Sequence, residues 1–326
     1  PAFLCMKMSL DKHCRSFFYS LKCYIGSGHN MGGDEMKPLT HCYSWIESRE
    51  DQKKHMREFA EAGARHLVLT SGLLGEGMKS IRYLLDFHED MKAFGLDFMD
   101  AHALWGTWED PGMPLEQWHD TVILRHRISI RLCAAFGVKT MTFHTGNTLN
   151  SIFGKNLALD DYYGMLIRSL EELLPDAERN GVILALENQW TPLNHSRRLL
   201  RVMEHFHSPN LGLCYDSGHG NLMEKGMSFP GRSCVPPIWD DLGIPVEWEE
   251  NLIGKFSPWL VNCHLHDNNG MEDEHKLPGD GTVDWEKIRK NLSHAPRLQC
   301  IQNETAPHHN TISRICGKFS ELFETP

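Results

Sequence analysis

The sequence contains no apolar run of the roughly 18 residues that a membrane-spanning helix requires, although hydrophobic residues make up 41% of its 326 residues. It also lacks a basic tract, since Lys and Arg are scattered and the formal net charge is −10. A negatively charged protein repels polyanions unless a local patch overrides the total. These absences argue against a membrane protein and against a nucleic acid partner.

The cysteines do not follow the pattern of a small disulfide-stabilised protein. Ten are spread along the chain, and several lie inside apolar, strand-like runs, among them Cys214, Cys263 and Cys300. There cysteine behaves as a small hydrophobic residue. This pattern is typical of a reducing compartment, and we expect the cytoplasm. Residues 1–8 are apolar without the ordered regions of a signal peptide, which leaves a trimmed leader open.

A repeated local pattern indicates alternating helices and strands. Four helix-like segments end at a glycine that an apolar run follows at once, and these glycines are candidates for the left-handed residue after a helix: Gly63, Gly95, Gly137 and Gly181. The runs are short and apolar enough to be strands buried on both faces. They cover residues 66–70, 96–102, 138–144 and 182–187.

Further strands are predicted at residues 16–25, 210–216, 259–264 and 298–304, and helices at 196–207, 245–256, 283–294 and 311–323. No dinucleotide-binding glycine fingerprint appears at the first turn, which disfavours an open doubly wound sheet. The sequence therefore predicts a single-domain (β/α)8 barrel over residues 1–326. Residues 222–251 are predicted to be an insertion after strand 6, because Phe229-Pro-Gly-Arg and Cys234-Val-Pro-Pro interrupt regular structure.

Six predicted strands end in a residue that can bind a metal ion. The C-terminal ends of barrel strands converge on one mouth, so residues distant in sequence become neighbours there. One such residue alone would more often cap a helix or pair with an arginine. Burying six together requires a compensating cation, and a mixed set of histidines and carboxylates suits Mn²⁺, Zn²⁺, Co²⁺ or Mg²⁺. The six are His102, His144, Glu187, Asp216, His264 and Glu304.

Two local strings add ligand types at the same mouth: Asp216-Ser-Gly-His219, and His264-Leu-His-Asp267 followed by Asp273-Glu-His275. Asparagine and glycine in these loops are explained by turns. The histidines are not, which favours a functional interpretation.

The motifs together resemble the xylose isomerase-like barrels, a superfamily of sugar isomerases, ketose 3-epimerases, inosose dehydratases and isomerases, and the endonuclease IV branch. The resemblance covers the whole chain. The residues that carry it are Thr142-Phe-His-Thr-Gly146, Ala185-Leu-Glu-Asn188, Tyr215-Asp-Ser-Gly-His-Gly-Asn221, Cys263-His-Leu-His-Asp-Asn-Asn-Gly270, His275-Lys-Leu-Pro-Gly-Asp-Gly-Thr-Val-Asp-Trp285 and Asn303-Glu304.

The resemblance implies a divalent-metal-dependent sugar, sugar phosphate or cyclitol isomerase or epimerase that transfers a proton through an enediolate. It implies Glu187 and Glu304 as the catalytic acid and base, with a small carbohydrate as substrate. The implied metal ligands are Glu187, Asp216, His264 and Glu304, with His219, Asp273 and His275 as additional ones, and His219 is the implied contact to substrate hydroxyls. Apart from the resemblance, the predicted substrate contacts at the same mouth are His102, His144, His275 and Trp105. Trp105 and Trp108 after the third strand and Trp190 after the fifth are aromatic residues of the kind that stack on the apolar face of a sugar. A homo-oligomer is also a family expectation.

The chain departs from the ketose 3-epimerases at two places. Those enzymes carry a further acidic residue shortly after the first glutamate and an arginine shortly after the seventh-strand histidine, where this chain has Leu193 and residues 267–270. The substrate therefore stays open between a ketose, a larger or phosphorylated sugar and a cyclitol, and the reaction between isomerisation, epimerisation and dehydration.

The main alternative is a zinc phosphoester hydrolase of the endonuclease IV kind. Its three-zinc cluster would map onto His102, His144, Glu187, Asp216, His219, His264, Asp273, His275 and Glu304. A cluster that clamps a phosphate and activates water needs that many ligands, whereas an epimerase needs about four. The negative net charge of the chain favours the sugar enzyme.

Overall fold

The four glycines predicted to end helices all have positive φ angles, from +67° at Gly181 to +90° at Gly63. A residue with a side chain is strained in this left-handed region, so glycine can end the helix and release the chain into the next strand. A strand begins within three residues of each of these glycines. The helix–glycine–strand pattern of the sequence is therefore confirmed.

The strands form a closed parallel barrel. A computed structural model describes residues 37–45, 47–146, 149–307 and 310–324, and within these residues each strand pairs with its sequence neighbour while the first also pairs with the eighth. The predicted fold class, a (β/α)8 barrel, is confirmed. The strands are β1 (Leu39–His41), β2 (His66–Leu69), β3 (Asp97–His102), β4 (Thr140–Phe143), β5 (Ile183–Glu187), β6 (Leu211–Asp216), β7 (Leu260–Leu265) and β8 (Ile301–Asn303).

Helices surround the barrel and cover its outer face. Each main helix buries one apolar stripe, for example Leu166, Leu170 and Leu173 of the longest helix. The helices are α1 (Arg49–Glu61), α2 (Ser71–Lys79), α3 (Ile81–Ala93), α4 (Glu116–Ala135), α5 (Leu149–Phe153), α6 (Leu159–Asn180), α7 (Ser196–His205), α8 (Ser217–Lys225), α9 (Val235–Asp241), α10 (Leu252–Phe256), α11 (Trp285–Ser293) and α12 (Ile312–Phe323). Among the described residues, no helix is long and apolar enough to cross a membrane.

The first strand is not where the sequence predicted it. The predicted segment, residues 16–25, lies outside the described residues, and the place between β8 and β2 is occupied by Leu39–His41. All three residues of β1 are buried. A three-residue strand is too short to show a hydrophobic period, so the sequence gives no sign of it. Assignment of all 326 residues to one domain stays a prediction.

Residues 222–251 lie between β6 and β7, as predicted for the insertion, but they are more regular than expected. The prolines of Cys234-Val-Pro-Pro lie in the first turn of α9, where the missing backbone N–H costs no hydrogen bond. The helix predicted over 245–256 is wrong for its first half, because helix α10 begins only at Leu252. Asn251 before it has a φ of +50°, a left-handed conformation that a continuing helix excludes.

A polar layer fills the barrel interior one level below the mouth. Asp100 of β3 is fully buried and accepts hydrogen bonds from Thr40 Oγ1 at 3.0 Å and from Asn262 Nδ2 at 2.9 Å. The same amide of Asn262 contacts Thr142 Oγ1 at 3.2 Å. These bonds tie β1, β3, β4 and β7 together across the barrel and satisfy a carboxyl group that would otherwise be costly to bury.

Candidate active site

The six ligand-type residues predicted at strand ends lie together at the C-terminal mouth of the barrel. His102, Glu187 and Asp216 are the last residues of β3, β5 and β6. His264 lies one residue before the end of β7, while His144 and Glu304 directly follow β4 and β8. The register pairs Asp216 with His264 on the adjacent strand, which sets their side chains next to each other.

The first group of donors surrounds His264. Its Nδ1 atom lies 3.1 Å from Oε2 of Glu187 and 3.4 Å from Oε2 of Glu304. Each of two triplets, His102–Glu187–His264 and Asp216–His264–Glu304, has potential ligand atoms within 4.8 Å of one another. These are the four residues that the family resemblance implied as metal ligands, together with His102.

His144 links this group to the edge of the mouth. Its Nε2 atom lies 3.1 Å from Oε2 of Glu187 and 3.0 Å from Nε2 of His102. The ring of Trp105, on the loop after β3, lies at a centroid distance of 5.8 Å from that of His144. Trp105 is 52% exposed, so the face of its ring is available to a ligand.

A second group of donors adjoins the first through Asp216. His219 and His266 form a triplet with Asp216, and His266 forms another with Asp273 and His275, each with ligand atoms within 4.8 Å. Nε2 of His275 lies 3.1 Å from Oδ2 of Asp273. The rings of His266 and His275 stack at a centroid distance of 3.8 Å. The predicted additional ligands His219, Asp273 and His275 therefore lie together.

Local structure orients the shared carboxylate. Asp216 is the N-cap of α8, and its Oδ1 atom accepts a hydrogen bond from the backbone N–H of His219 at 2.7 Å. Its other oxygen, Oδ2, lies 3.1 Å from Nε2 of His266. Gly218 makes this packing feasible, because a Cβ atom there would lie 2.0 Å from Cε1 of the His266 ring. The Asp-Ser-Gly-His motif thus holds carboxylate and imidazole in fixed positions.

The charges of the first group balance each other. Burial alone would raise the pKa of Glu187, but His144 and His264 beside it hold that pKa well below its usual value. The pKa of Glu304 is likewise lowered despite burial, chiefly by His264. Burial alone would lower the pKa of His264, yet Cys214, Glu304 and Glu187 raise it well above the usual value. In the absence of a bound cation, the two carboxylates beside His264 thus favour a positive charge on its ring.

In the second group, too, histidines lower the pKa of a carboxylate and the carboxylate raises the pKa of a histidine. Burial would raise the pKa of Asp273, but His219, His275 and His266 lower it far below its ordinary value. The pKa of His275 is raised to about 9 by its contact with Asp273, against the effect of burial. The pKa of His102, which has less carboxylate around it, is lowered to about 4 by burial and by His144 and His264.

Several buried carboxylate oxygens and imidazole nitrogens in these two groups have no hydrogen-bond partner. They include both oxygens of Glu187, both ring nitrogens of His264, Nδ1 of His266 and Oδ1 of Asp273. Nδ1 of His264 and Oε2 of Glu187 are 3.1 Å apart but do not have the geometry of a hydrogen bond. Buried polar atoms without partners are rare in folded proteins and call for a ligand. Unpaired carboxylate oxygens and imidazole nitrogens that converge within 4.8 Å fit a divalent cation.

A cavity of about 320 Å³ opens directly above these donors. The predicted substrate contacts His102, His144, His219, His275 and Trp105 all line it, as do Glu304 and Asp273. The wall also contains Trp190, whose ring meets that of His219 at a centroid distance of 4.7 Å. The volume is at the lower end of the range of roughly 300–1,000 Å³ for small-molecule sites.

Four lining residues were not predicted: Cys42, Thr70, Ser71 and Gln189. Thr70 and Ser71 directly follow β2, so the rule that strand ends meet at the mouth would have found them had it been applied to uncharged residues. Cys42 follows β1, whose position the sequence did not show.

Comparison with known proteins places the chain among barrel proteins. The family model for the xylose isomerase-like TIM barrel matches residues 60–301. The protein y4fM of Sinorhizobium fredii is 28% identical over 176 residues, which cover 52% of this chain and 48% of that protein. The protein MJ1311 of Methanocaldococcus jannaschii is 28% identical over 132 residues, or 38% of this chain and 37% of that protein. The chain thus spans half or less of the length of these curated relatives.

Solved structures share the fold at low sequence identity. D-allulose 3-epimerase from Methylomonas sp. has a TM-score of 0.63 at 13% identity, covering 90% of this chain and 99% of that one. The 3-keto-D-glucoside 4-epimerase of E. coli has a TM-score of 0.62 at 15% identity, with 89% and 100% covered. A zinc-bound IolI protein has a TM-score of 0.58 at 16% identity, with 88% and 96% covered.

Proposed function

The chain belongs to the xylose isomerase-like TIM barrel family, and from this premise we propose that it is a divalent-metal-dependent sugar isomerase or epimerase. In this proposal the enzyme moves a proton on a carbon next to a carbonyl group, and the substrate passes through an enediolate. One observation supports it above the others: two carboxylates, Glu187 and Glu304, lie on the same buried histidine, His264, with their pKa values lowered.

The residues that would hold the metal are Glu187, Asp216, His264 and Glu304. Glu187 belongs to one donor triplet and Asp216 and Glu304 to another, and the two triplets share His264. The carboxylate oxygens of Glu187 and the ring nitrogens of His264 have no hydrogen-bond partner. A divalent ion bound there acts as a Lewis acid that polarises the substrate carbonyl. Mn²⁺, Co²⁺, Zn²⁺ and Mg²⁺ are all compatible with a mixed set of imidazole and carboxylate ligands.

The two glutamates would carry the proton. A carboxylate with a lowered pKa is ionised near neutral pH and can accept a proton from carbon only when it is positioned beside the reacting atom. Glu304 lines the cavity, and Oε2 of Glu187 and Oε2 of Glu304 lie 3.1 Å and 3.4 Å from the same nitrogen, Nδ1 of His264. Epimerisation needs one group to remove the proton from one face of the carbon and another to return a proton to the opposite face. Two carboxylates around one site supply such a pair.

The cavity walls would bind the sugar. His102, His144 and His275 line the cavity as candidate partners for hydroxyl groups, and Nδ1 of His144 has no hydrogen-bond partner among the described residues. Trp105 and Trp190 present aromatic faces, which pack against the apolar face of a sugar ring and exclude water. The structural relatives named as sugar epimerases support this assignment by fold, and the donor set of this chain supports it by chemistry.

A second candidate, a zinc phosphoester hydrolase, is favoured by one observation. All nine residues that a three-zinc cluster would need are present, and His219, Asp273 and His275 form a donor group beside the first. Against it, no Lys or Arg is among the described residues that line the cavity, and the net charge is −10. Binding of a phosphodiester backbone normally depends on such cations.

The decisive first measurement is the metal content per chain by elemental mass spectrometry, followed by solvent-deuterium exchange into ketoses. About one metal ion per chain and exchange at the carbon next to the carbonyl would support the sugar enzyme. Close to three zinc ions per chain, with cleavage of a phosphoester substrate and no exchange, would replace it by the hydrolase.

A further inference from the structure

A second cavity of about 530 Å³ adjoins the first on the side of β1 and β2. Cys42, Thr70 and Ser71 line both cavities, so the two cavities adjoin at these residues and are together called the cleft. The reacting end of this cleft contains the histidines and glutamates described above. The other end extends over the loop after β1 and the first two turns of α2, away from the metal ligands.

The second cavity has the chemistry of a sugar-binding surface. Its wall includes the partly buried rings of Tyr43 and Tyr83, which can pack against a sugar, and the carboxylates of Glu47 and Glu76, which accept hydrogen bonds from hydroxyl groups. Aromatic rings combined with a few polar groups are the usual lining of a small-molecule site.

One polar group in this wall lacks a partner. The indole Nε1 of Trp45 is buried and has no hydrogen-bond partner, although only 5% of the residue is exposed. The hydroxyl of Tyr83 accepts from Nε2 of Gln52 at 2.9 Å and still carries its own proton to donate. The Tyr83 hydroxyl, rather than the inaccessible Nε1 of Trp45, is therefore the hydrogen-bond donor that this wall offers to a sugar oxygen.

The charged side chains of the cleft disfavour an anionic extension of the substrate. No Lys or Arg is among the described residues that line either cavity, whereas Glu47, Glu76, Asp273 and Glu304 are. The nearest cation to Glu76 is Lys79, whose Nζ lies 2.7 Å from Oε1, but that lysine side chain is 73% exposed. The N-terminal turn of α2, Ser71–Leu73, lies in this wall and would attract an anion, but no cationic side chain reinforces it, and Glu47 and Glu76 would repel a phosphate group.

We propose that the substrate is a neutral ketose glycoside: the ketose unit occupies the cavity above His264, and a second, uncharged sugar unit occupies the cavity lined by Tyr43, Trp45 and Glu76. The proposal rests on the proposed sugar isomerase or epimerase activity and specifies its substrate class. A free monosaccharide would leave the larger of the two cavities empty.

Gly72 offers a steric test. It lines the second cavity as the second residue of α2, its φ is not positive, and a Cβ atom there would meet only Thr70 Oγ1, at 3.8 Å. Gly72→Trp should therefore fill the cavity without backbone strain. Gly164→Trp is the matched control, because Gly164 is an exposed residue of α6 with no atom within 4 Å of its added Cβ.

The experiment measures solvent-deuterium exchange with Mn²⁺-loaded protein on D-fructose and on leucrose and isomaltulose, in which glucose is attached to O5 or O6 of fructose. We expect wild-type kcat/KM for a glucosyl ketose to exceed that for fructose at least tenfold. Gly72→Trp should lower kcat/KM for the glucosyl ketose at least tenfold and leave kcat/KM for fructose unchanged. The Gly164→Trp control should have the same kcat/KM as wild type on every sugar. Equal exchange on all three sugars, with no effect of Gly72→Trp, would overturn the proposal and leave the proposed activity standing.

If none of the sugars takes up deuterium, the proposed isomerase or epimerase activity is wrong. The proposal about the second sugar unit is then tested by binding alone. Isothermal titration calorimetry of the same three sugars with wild type and each variant measures their dissociation constants. Binding of a glucosyl ketose that weakens at least tenfold in Gly72→Trp supports the extended site. Absence of binding, or binding that Gly72→Trp does not change, overturns it.

Discussion

Nδ1 of His264 lies 3.1 Å from Oε2 of Glu187, and both side chains are completely buried at the mouth of the barrel. An imidazole and a carboxylate removed from water stabilise each other only as a charged pair or around a cation. The sequence separates them by 77 positions, as the numbering gives. Their contact is the centre of the proposed site, and the first two predictions depend on it.

Glu304→Gln should abolish proton transfer and preserve the fold. The amide removes one of the two bases and weakens a metal ligand, so we expect a loss of at least about 10²-fold in turnover, the usual contribution of a positioned acid or base. The side chain is partly exposed, which limits the effect on stability. Solvent-deuterium exchange and circular dichroism measure the two effects. Glu321→Gln, on the surface of α12, is the control, and full activity of Glu304→Gln would contradict the mechanism.

Removal of divalent metal by a chelator should lower the melting temperature, and Mn²⁺, Co²⁺ or Zn²⁺ should restore it. An ion that binds only the folded protein stabilises it by about 2.7 kcal/mol at a concentration of 100 times its Kd. Differential scanning fluorimetry measures the shift. In Glu187→Gln the added metal should change the melting temperature little, because one metal ligand is lost. An identical metal-dependent shift in wild type and Glu187→Gln would place the ion elsewhere.

Asp110→Asn should change how stability depends on pH. Asp110 is buried, and burial raises its pKa to about 7 although Gly112 N–H, Gly146 N–H and the Tyr162 hydroxyl donate hydrogen bonds to it. The folded state therefore holds this proton more tightly than the unfolded state, and wild-type stability decreases as pH rises from about 4 to 7. Asparagine does not titrate.

The free energy of unfolding of Asp110→Asn, relative to wild type, should accordingly increase across that pH range by on the order of a few kcal/mol. Urea unfolding at pH 4, 5.5 and 7 measures it. Loss of one accepted hydrogen bond adds a constant offset that does not vary with pH. The exposed Asp161→Asn variant is the control, and a difference that stays constant or falls with pH would refute the prediction.

Thr40→Val should destabilise the barrel without creating a cavity. The hydroxyl of Thr40 donates to Oδ1 of Asp100 at 3.0 Å inside the barrel, and both residues are fully buried. Valine has nearly the same shape but leaves that oxygen without this donor, which costs about 1–3 kcal/mol. The measurement is the free energy of unfolding in urea. Thr121→Val on the exposed face of α4 should change it by less than about 0.5 kcal/mol, and an equal effect of both substitutions would show that the bond contributes nothing.

The sequence predicts the barrel and the ligand set of the first donor group because both follow from local patterns. A glycine after a helix and an apolar run after the glycine are visible one segment at a time, as at Gly137 and β4. Once the strands alternate with helices, the convergence of His102, Glu187 and His264 follows from barrel geometry.

The sequence fails where no local pattern exists. The three residues of β1 are too few to show a period, and with β1 undetected, Cys42 could not be placed at the mouth. Pro236 and Pro237 were interpreted as breaking structure, although proline is compatible with the first turn of a helix. These failures concern short elements, for which packing outweighs intrinsic preference.

The sequence by itself determined which residue types end the strands and therefore what chemistry meets at the mouth. Only the tertiary structure decided that Nδ1 of His264 contacts both Glu187 and Glu304, that His266 lies against Asp216, and that a second cavity adjoins the first at Thr70. The physical reason is that the chain fixes side-chain order within a strand, whereas distances between strands and the shape of a cavity depend on how the strands pair and how the loops above them pack.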